Sequence, residues 1–389
     1  MEITLNLDST GLPQPPPHLN KKEQSDIDIV GSKIRTEHYM LPALTPSDSH
    51  DELYKDADVT DCVLLPRTFW LPSGAAPANN FERIAKSVFD FHLRDKKLAS
   101  CVDHSTSGAE WWCQVRPSPP SGRYAATDNT SGLSKEGVVF HYDKDEDLNE
   151  MSGIHVFPHV STVTYLTDLG APTVILDRFV DSIQGGGSTQ SNGGVVEKGV
   201  ISYPAGGKHV CFDGRSLHAV VACFKSKSLD EELEGYAKSL GEPEKNRGSA
   251  IRRGRRITFL VNVWVNYKPI GVERWDNSGA FHLSGESVGE EEKNSGVDKI
   301  YEELFDGVKK EEMSTVVLNK SLNNAKEGES FSFSIGSDEE ITFTDIPLSE
   351  IQKNEVGGTC HVEFGSNGCT LKTAAAVPLT KKQKTNDNV

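Results

Sequence analysis

The chain has 389 residues, of which 36% are hydrophobic and 25% charged; that sustains one large domain or two smaller ones, with large polar segments. Its 41 Lys and Arg against 57 Asp and Glu leave a net charge of -16. That excludes general binding to a nucleic-acid backbone or an anionic membrane, because both need excess cation. The seven cysteines are widely spaced, with no C-x-x-C pair. This argues against a zinc knuckle and suits a reducing, cytoplasmic compartment. The N-terminus has neither a basic start nor an apolar core, and no apolar run reaches the length of a membrane span.

In chain order, residues 1 to 60 are rich in Pro, Ser and charge and read as an extended or loosely attached arm. Residues 79 to 97 read as a helix capped by Asn79 or Asn80, with Phe81, Ile84, Ala85, Val88 and His92 on one stripe. From Trp111 the texture changes to short β-branched and aromatic runs. These are WWCQVR, GVVFHYD, STVTYLTD, TVILDRFV, GVISYP, KHVCF, HAVVACF and ITFLVNVWV, most of them separated by Gly, Pro, Asp and Ser. Such runs without long intervening helices predict a sandwich or barrel. The barrel domain is placed at residues 61–270, with insertions at 182–198 (Gly/Ser-rich) and 225–253 (acidic, ending in Arg252-Arg253-Gly254-Arg255-Arg256). Neither the Gly/Ser-rich stretch nor AGGKH at 205–209 fits the phosphate-loop spacing.

Residues 271–375 read as a polar α+β appendix or an extra sheet on the core, with a helix at 297–310 carrying Ile300, Leu304 and Val308 on one face. SFSFSIG and EITFTDI suit a hairpin, and HVEF and CTLKT suit further strands. Residues 376–389 read as a disordered tail. Lys381, Lys382 and Lys384 resemble a nuclear-import patch there, and solvated terminal lysines are the simpler reading.

The chemistry concentrates in three places. His141-Tyr-Asp143 ends one predicted strand, and two residues of strand separation turn both side chains to one side. His218 stands between KHVCF and the following strand. Two imidazoles and a carboxylate hold a metal on one face and leave the other open, the ligand set of non-haem Fe(II) oxygenases. Arg256-Ile-Thr258 opens the last strand, and a fixed cation beside a hydroxyl suits a small dicarboxylate.

Several neighbours compete for these roles. His209 is an alternative distal ligand, although its surroundings place it within a strand. His155 and His159 flank Phe157-Pro158 and suit packing or support of a ligand. Asp145, Glu146 and Asp147 read as a solvated loop. Trp111 and Trp112 alternate faces, so one lines a cavity while the other packs outside. Arg255 competes with Arg256. Period two favours Arg256, which shares a face with Thr258.

With these residues in place, the chain resembles the Fe(II)/2-oxoglutarate-dependent dioxygenase superfamily, in a prolyl 4-hydroxylase-like branch. GVVFHYDKDE is similar to that family's H-x-D segment, YPAGGKHVCFDGRSLHAV to its distal-histidine segment, and RRITFLVNVWVN to its R-x-[ST] strand. The likeness spans roughly residues 105 to 270. It implies a mainly β fold, a double-stranded β-helix or jelly roll with supporting helices. It further implies iron held by His141, Asp143 and His218, and the distal carboxylate of 2-oxoglutarate held by Arg256 and Thr258. Tyr165 is either a further donor to the cosubstrate or a cross-strand core aromatic.

The implied activity is hydroxylation of an unidentified substrate, with a protein prolyl residue as candidate. Dioxygen is consumed, succinate and CO2 are released, and ascorbate is a candidate reductant. The rival reading is a cupin-like or non-catalytic metal-binding barrel that makes no use of 2-oxoglutarate. The 38 positions from His218 to Arg256 exceed the family's usual spacing, and the acidic insertion accounts for the excess if it loops out.

Overall fold

The computed structural model describes residues 5–8, 10–14, 36–46, 50–63, 68–94, 99, 102–117, 137–177, 196–226, 254–276, 281–285, 296–317, 329–335, 339–346, 348–352, 357–364 and 369–373. Most of both insertions and the whole C-terminal tail, with Lys381, Lys382 and Lys384, lie outside these residues, as do Arg252 and Arg253.

The eight predicted strand runs all form strands: β3 (Gly108–Pro117), β4 (Val138–His141), β5 (Val160–Tyr165), β6 (Thr173–Leu176), β7 (Lys198–Ser202), β8 (Lys208–Asp213), β9 (Leu217–Val220) and β10 (Arg255–Trp264). They are preceded by β1 (Glu37–Met40) and β2 (Phe69–Pro72). Sheet one runs β1-β8-β5-β10-β3-β2 and is antiparallel throughout. The core of sheet two is β7-β6-β9-β4. The chain passes repeatedly from one sheet to the other, which is the double-stranded β-helix, a closed form of jelly roll. Strand β9 is shorter than its sequence run, because residues 222–224 turn into a 3-10 helix.

Alternation along β10 organises sheet one. Ile257, Phe259, Val261 and Val263 face outward and are fully buried. They lie under α1 (Asp51–Cys62) and α2 (Asn80–His92). Phe81 stacks on Phe259 with ring centroids 4.9 Å apart. Each such side chain contributes roughly 1.5–3 kcal/mol by leaving water, so the helices clamp the strand. Asn79 caps α2 by accepting the amide of Glu82, and Glu82 reaches back to the amide of Ala78. Arg256, Thr258, Leu260, Asn262 and Trp264 take the opposite face, toward sheet two.

The structure revises three sequence expectations. Residues 36–46 and 50–60 are not a loose arm: β1 completes the edge of sheet one on β8, and α1 buries Leu53, Tyr54 and Ala57 against β3. The short apolar stripe of α1 is interleaved with Asp, Glu and Lys, which hid it in the sequence. The segment after residue 296 is helical only over α4 (Gly296–Glu302). Leu304 is buried with Tyr301 and Phe305, and Val308 packs partly buried against the same cluster, whereas Ile300 is 48% exposed and leaves the expected face. Asp145 is not a solvated loop residue. It is the buried N-cap of α3 (Glu146–Ser152), and it also accepts the Tyr267 hydroxyl and the Ile270 amide.

The C-terminal strands, finally, extend sheet two itself. β12 (Glu329–Ile335), β13 (Glu339–Ile346) and β15 (Cys369–Thr373) add beside β4, whereas β14 (Thr359–Glu363) and β11 (Ser314–Val317) add beside β7. β12 and β13 form the expected antiparallel hairpin. Phe333, Ile341 and Phe343 share one buried cluster with Phe140, Val174 and Ile201 of the barrel, and α5 (Leu348–Ile351) adds Ile351 to it. The thiols of Cys62, Cys113, Cys211 and Cys360 form no disulfide among the described residues, and no described helix is long and apolar enough to cross a membrane.

Lys208 fastens the C-terminal segment to the barrel. Its side chain is fully buried, and its Nζ donates to the carbonyls of Tyr203, Gly357 and Gly358, each at 2.9 Å. Lys208→Met would leave three carbonyls without their donor. It is expected to cost about 3 kcal/mol in urea unfolding and to speed amide exchange in β14. An unchanged midpoint would contradict this role.

Candidate metal centre and anion pocket

His141 ends β4 and His218 lies in β9, directly opposite it in the antiparallel register. Asp143 follows two residues after His141. The three side chains bring one ligand atom each to within 4.8 Å of one another. The Nε2 atoms of His141 and His218 lie 3.8 and 3.7 Å from Asp143 Oδ1. Ligand atoms about 2.1 Å from one metal ion at right angles lie about 3 Å apart, so a small contraction would bring all three onto one ion.

Both rings are held from behind. Nδ1 of His141 is 2.9 Å from the Val139 carbonyl, and Nδ1 of His218 is 3.0 Å from the Ser216 carbonyl. A carbonyl only accepts, so each Nδ1 carries the proton and each Nε2 presents its lone pair to the centre. Burial, with His141 close by, pushes the His218 imidazole down to about 4 and keeps it neutral. The side chains of His218 and Asp143 are 7% and 11% exposed against 39% for His141, so the centre opens on the His141 side. This donor set, two neutral imidazoles and a carboxylate with an open side, fits a divalent iron ion.

Arg256 and Thr258 share the interior face of β10, both almost fully buried. Nη1 of Arg256 donates to Thr258 Oγ1 at 3.4 Å and to Gln114 Oε1 at 3.3 Å, and Nη2 donates to Thr173 Oγ1 at 3.0 Å. Arg255 points the other way, toward solvent, and pairs with Asp58 on α1. This settles which arginine faces the interior. Tyr165 is the cross-strand partner of Thr258. Its hydroxyl donates to the Ser202 carbonyl at 3.0 Å and lies 2.7 Å from Thr173 Oγ1, whose own O–H donates to it, and its ring lies 5.3 Å from the Arg256 guanidinium carbon. Tyr165 therefore orients the pocket through Thr173 and through its ring face, and its hydroxyl is already committed.

Between triad and pocket lies an apolar belt formed by Val163, Ile175, Val210 and Phe212. Phe212 touches the His218 ring, with centroids 4.9 Å apart. The competing histidines fall elsewhere. His209 is on the outer face of sheet one, 3.2 Å from His92 of α2 and 2.8 Å from Thr164 Oγ1. His155 stacks on Phe157, and His159 is buried beside the Val265 amide. Trp111 packs outward against Phe69 and Phe81. Trp112 takes the interior face and is half-buried.

Four further residues matter, and the sequence offered little signal for them. Gln114 and Thr173 hold the guanidinium but lie on other strands. Gly170, at φ +114°, passes so close to Arg256 that an added Cβ would lie 2.5 Å from the arginine Cβ. Glu110 lies on the interior face of β3 and is buried. It accepts from Trp264 Nε1 at 2.8 Å and Asn262 Nδ2 at 3.4 Å. Burial pushes its carboxyl up to about 7 against these hydrogen bonds, and Asp143 pushes in the same direction.

No protein-family model matches this chain, and no curated protein sequence does. Among solved structures, the fold is similar to a prolyl-4-hydroxylase from Pseudomonas putida, at 13% identity and a TM-score of 0.30 over 66% of this chain and 95% of that one. It is similar to HygX from Streptomyces hygroscopicus with nickel and 2-oxoglutarate bound, at 12% identity and a TM-score of 0.24 over 69% and 97%. It is also similar to SnoN, a non-heme alpha-ketoglutarate-dependent epimerase from nogalamycin biosynthesis, at 10% identity and a TM-score of 0.26 over 68% and 96%.

The raised carboxyl of Glu110 has a stability consequence. Its folded value of about 7 lies above the unfolded 4.5, so the stabilisation is complete below 4.5 and is lost as pH rises through 7. In the metal-free protein, Glu110→Gln is expected to gain stability on wild type between pH 4.5 and 8, by on the order of 3 kcal/mol. Thermal unfolding of both proteins across that range checks this, and a pH-independent difference would contradict it.

Proposed function

We propose that this protein is an Fe(II)- and 2-oxoglutarate-dependent oxygenase that hydroxylates a C–H bond of its substrate. The observation that carries the proposal is the pairing of two sites within one barrel. His141, Asp143 and His218 converge with both Nε2 lone pairs directed at the carboxylate. On the same interior, a buried guanidinium is held by neutral oxygens of Gln114, Thr173 and Thr258. A bare metal site has no use for the second feature, and this speaks against a cupin-like barrel without a cosubstrate.

In this reading His141, Asp143 and His218 hold the iron, and Arg256 and Thr258 receive the distal carboxylate of 2-oxoglutarate. When bound, the iron supplies the oxygen-activating redox chemistry, coupled to decarboxylation of the 2-oxo acid to succinate and CO2. The chain's own residues position and shield. The Val139 and Ser216 carbonyls fix ring orientation. Gly170 leaves room for the arginine stem. The apolar belt keeps water from the cosubstrate and strengthens its ion pair. Substrate enters on the side where His141 and Trp112 are half-exposed. A protein prolyl residue is the first candidate, supported by the resemblance of the three motifs to the prolyl 4-hydroxylase-like branch.

His141→Ala, Asp143→Ala and His218→Ala are each expected to weaken Fe(II) or Mn(II) binding at least about 100-fold and to abolish succinate formation. Arg256→Met is expected to keep metal affinity within about twofold and to raise the KM for 2-oxoglutarate at least about tenfold. Metal titration and succinate release from a proline-containing peptide library read both effects. Full turnover in the His141 and Asp143 variants would refute the assignment.

A further inference from the structure

We infer that Glu110, Asn262 and Ser161 form a second polar site in the barrel, beside the metal centre, and that this site receives a primary ammonium group of the substrate. This rests on the oxygenase reading above and names a substrate class for it.

The three residues stand on one rung of sheet one. Asn262 pairs with Glu110 of β3 on one side and with Ser161 of β5 on the other. All three share the parity of Thr258 and its partners, so their side chains take the interior face. The neighbouring rung, Trp112-Leu260-Val163, is apolar and separates them from the rung of Gln114, Thr258 and Tyr165. The polar rung is therefore no part of the anion pocket. It lies by the metal centre instead. Ser161 pairs with Phe212, whose ring touches that of His218, and Glu110 lies within the field of Asp143. Trp112, on the adjoining rung, is half-buried, so the site borders the side on which substrate enters.

What this rung lacks is donors. Asn262 and Ser161 are 3% and 1% exposed. Asn262 directs Nδ2 at Glu110, and its Oδ1 has no hydrogen bond among the described residues. Ser161 Oγ has none either. Glu110 accepts from Trp264, Asn262 and Thr68, all neutral, and no cation among the described residues pairs with it. Buried acceptors without donors are costly, and a buried carboxylate without a counter-charge is more so. One group with a positive charge and several N–H bonds answers all three oxygens. A primary ammonium has that charge and three donors, whereas an alcohol has one donor and no charge. In a protein substrate the ammonium belongs to a lysyl side chain or a free N-terminus, and a prolyl substrate carries it on a neighbouring residue.

The test is proton NMR of two probes, n-butylammonium and 1-butanol, with the full chain loaded with Mn(II) and 2-oxoglutarate under argon. Paramagnetic Mn(II) broadens only a probe held close to it, so amine bound to the acidic surface stays silent. The pH is set above the value of about 7 to which burial pushes the Glu110 carboxyl. Wild type is expected to hold n-butylammonium at least about tenfold more tightly than 1-butanol. Glu110→Gln and Asn262→Leu are each expected to weaken the ammonium about tenfold and leave 1-butanol within about twofold. Ser161→Ala, which removes one oxygen and little volume, is expected to weaken it about threefold and keeps the test standing if a larger change fails to fold. Mn(II) and 2-oxoglutarate affinities are expected to hold at wild-type values throughout. Undiminished ammonium binding in Glu110→Gln and Ser161→Ala overturns the inference, as does equal broadening of both probes by wild type, and either result leaves the functional reading standing. A parallel loss of Mn(II) affinity in Glu110→Gln assigns that residue to the metal centre and also overturns the inference. A folded wild type that binds neither Mn(II) nor 2-oxoglutarate overturns both.

Discussion

Strand β10 is paired along its length, with β3 on one side and β5 on the other, and the parity of that pairing is the constraint on which the rest depends. One face carries Ile257, Phe259, Val261 and Val263 into the helical layer, and the other carries Arg256 and Thr258 into the barrel. A slip of one residue would exchange the two sets. It would bury Arg255 in place of Arg256 and turn four apolar side chains toward the interior. Packing of Phe259 against Phe81 and Trp111 therefore fixes the position of the guanidinium as surely as its own hydrogen bonds do.

The metal centre rests on a second, smaller constraint. Neither imidazole is free to choose its proton, because a backbone carbonyl two residues earlier takes it in each case. The ring nitrogens that remain face the one carboxylate. Local backbone geometry thus sets the tautomer and orientation of both candidate ligand rings. Glu110 adds a buried acid within the field of Asp143, tied to Asn262 and Trp264 on β10. The electrostatics of the triad and the central strand are joined through that residue.

The strands and the triad were legible because their signals are local or strongly ordered. Period two along the last strand picks the inward arginine, and H-x-D with a later His in the right order picks the three side chains that converge. Residues whose role depends on a neighbouring strand were not legible. Gln114 and Thr173 look like ordinary polar strand residues until β3 and β6 are placed beside the arginine. Gly170 looks like any loop glycine until the arginine stem packs on it. Asp145 was hidden among acids that are exposed, although it alone of the three caps a helix. The stripe of α1 is only three apolar residues long, and Ile300 drew attention from the buried Tyr301 and Phe305 beside it.

The most direct test of the account is the visible absorption of the purified protein loaded anaerobically with Fe(II) and then with 2-oxoglutarate. Chelation of the 2-oxo acid to iron held by His141, Asp143 and His218 predicts a new charge-transfer band, absent in Asp143→Ala and weakened in Arg256→Met. A folded wild-type protein that binds Fe(II) and shows no band with saturating 2-oxoglutarate would contradict it.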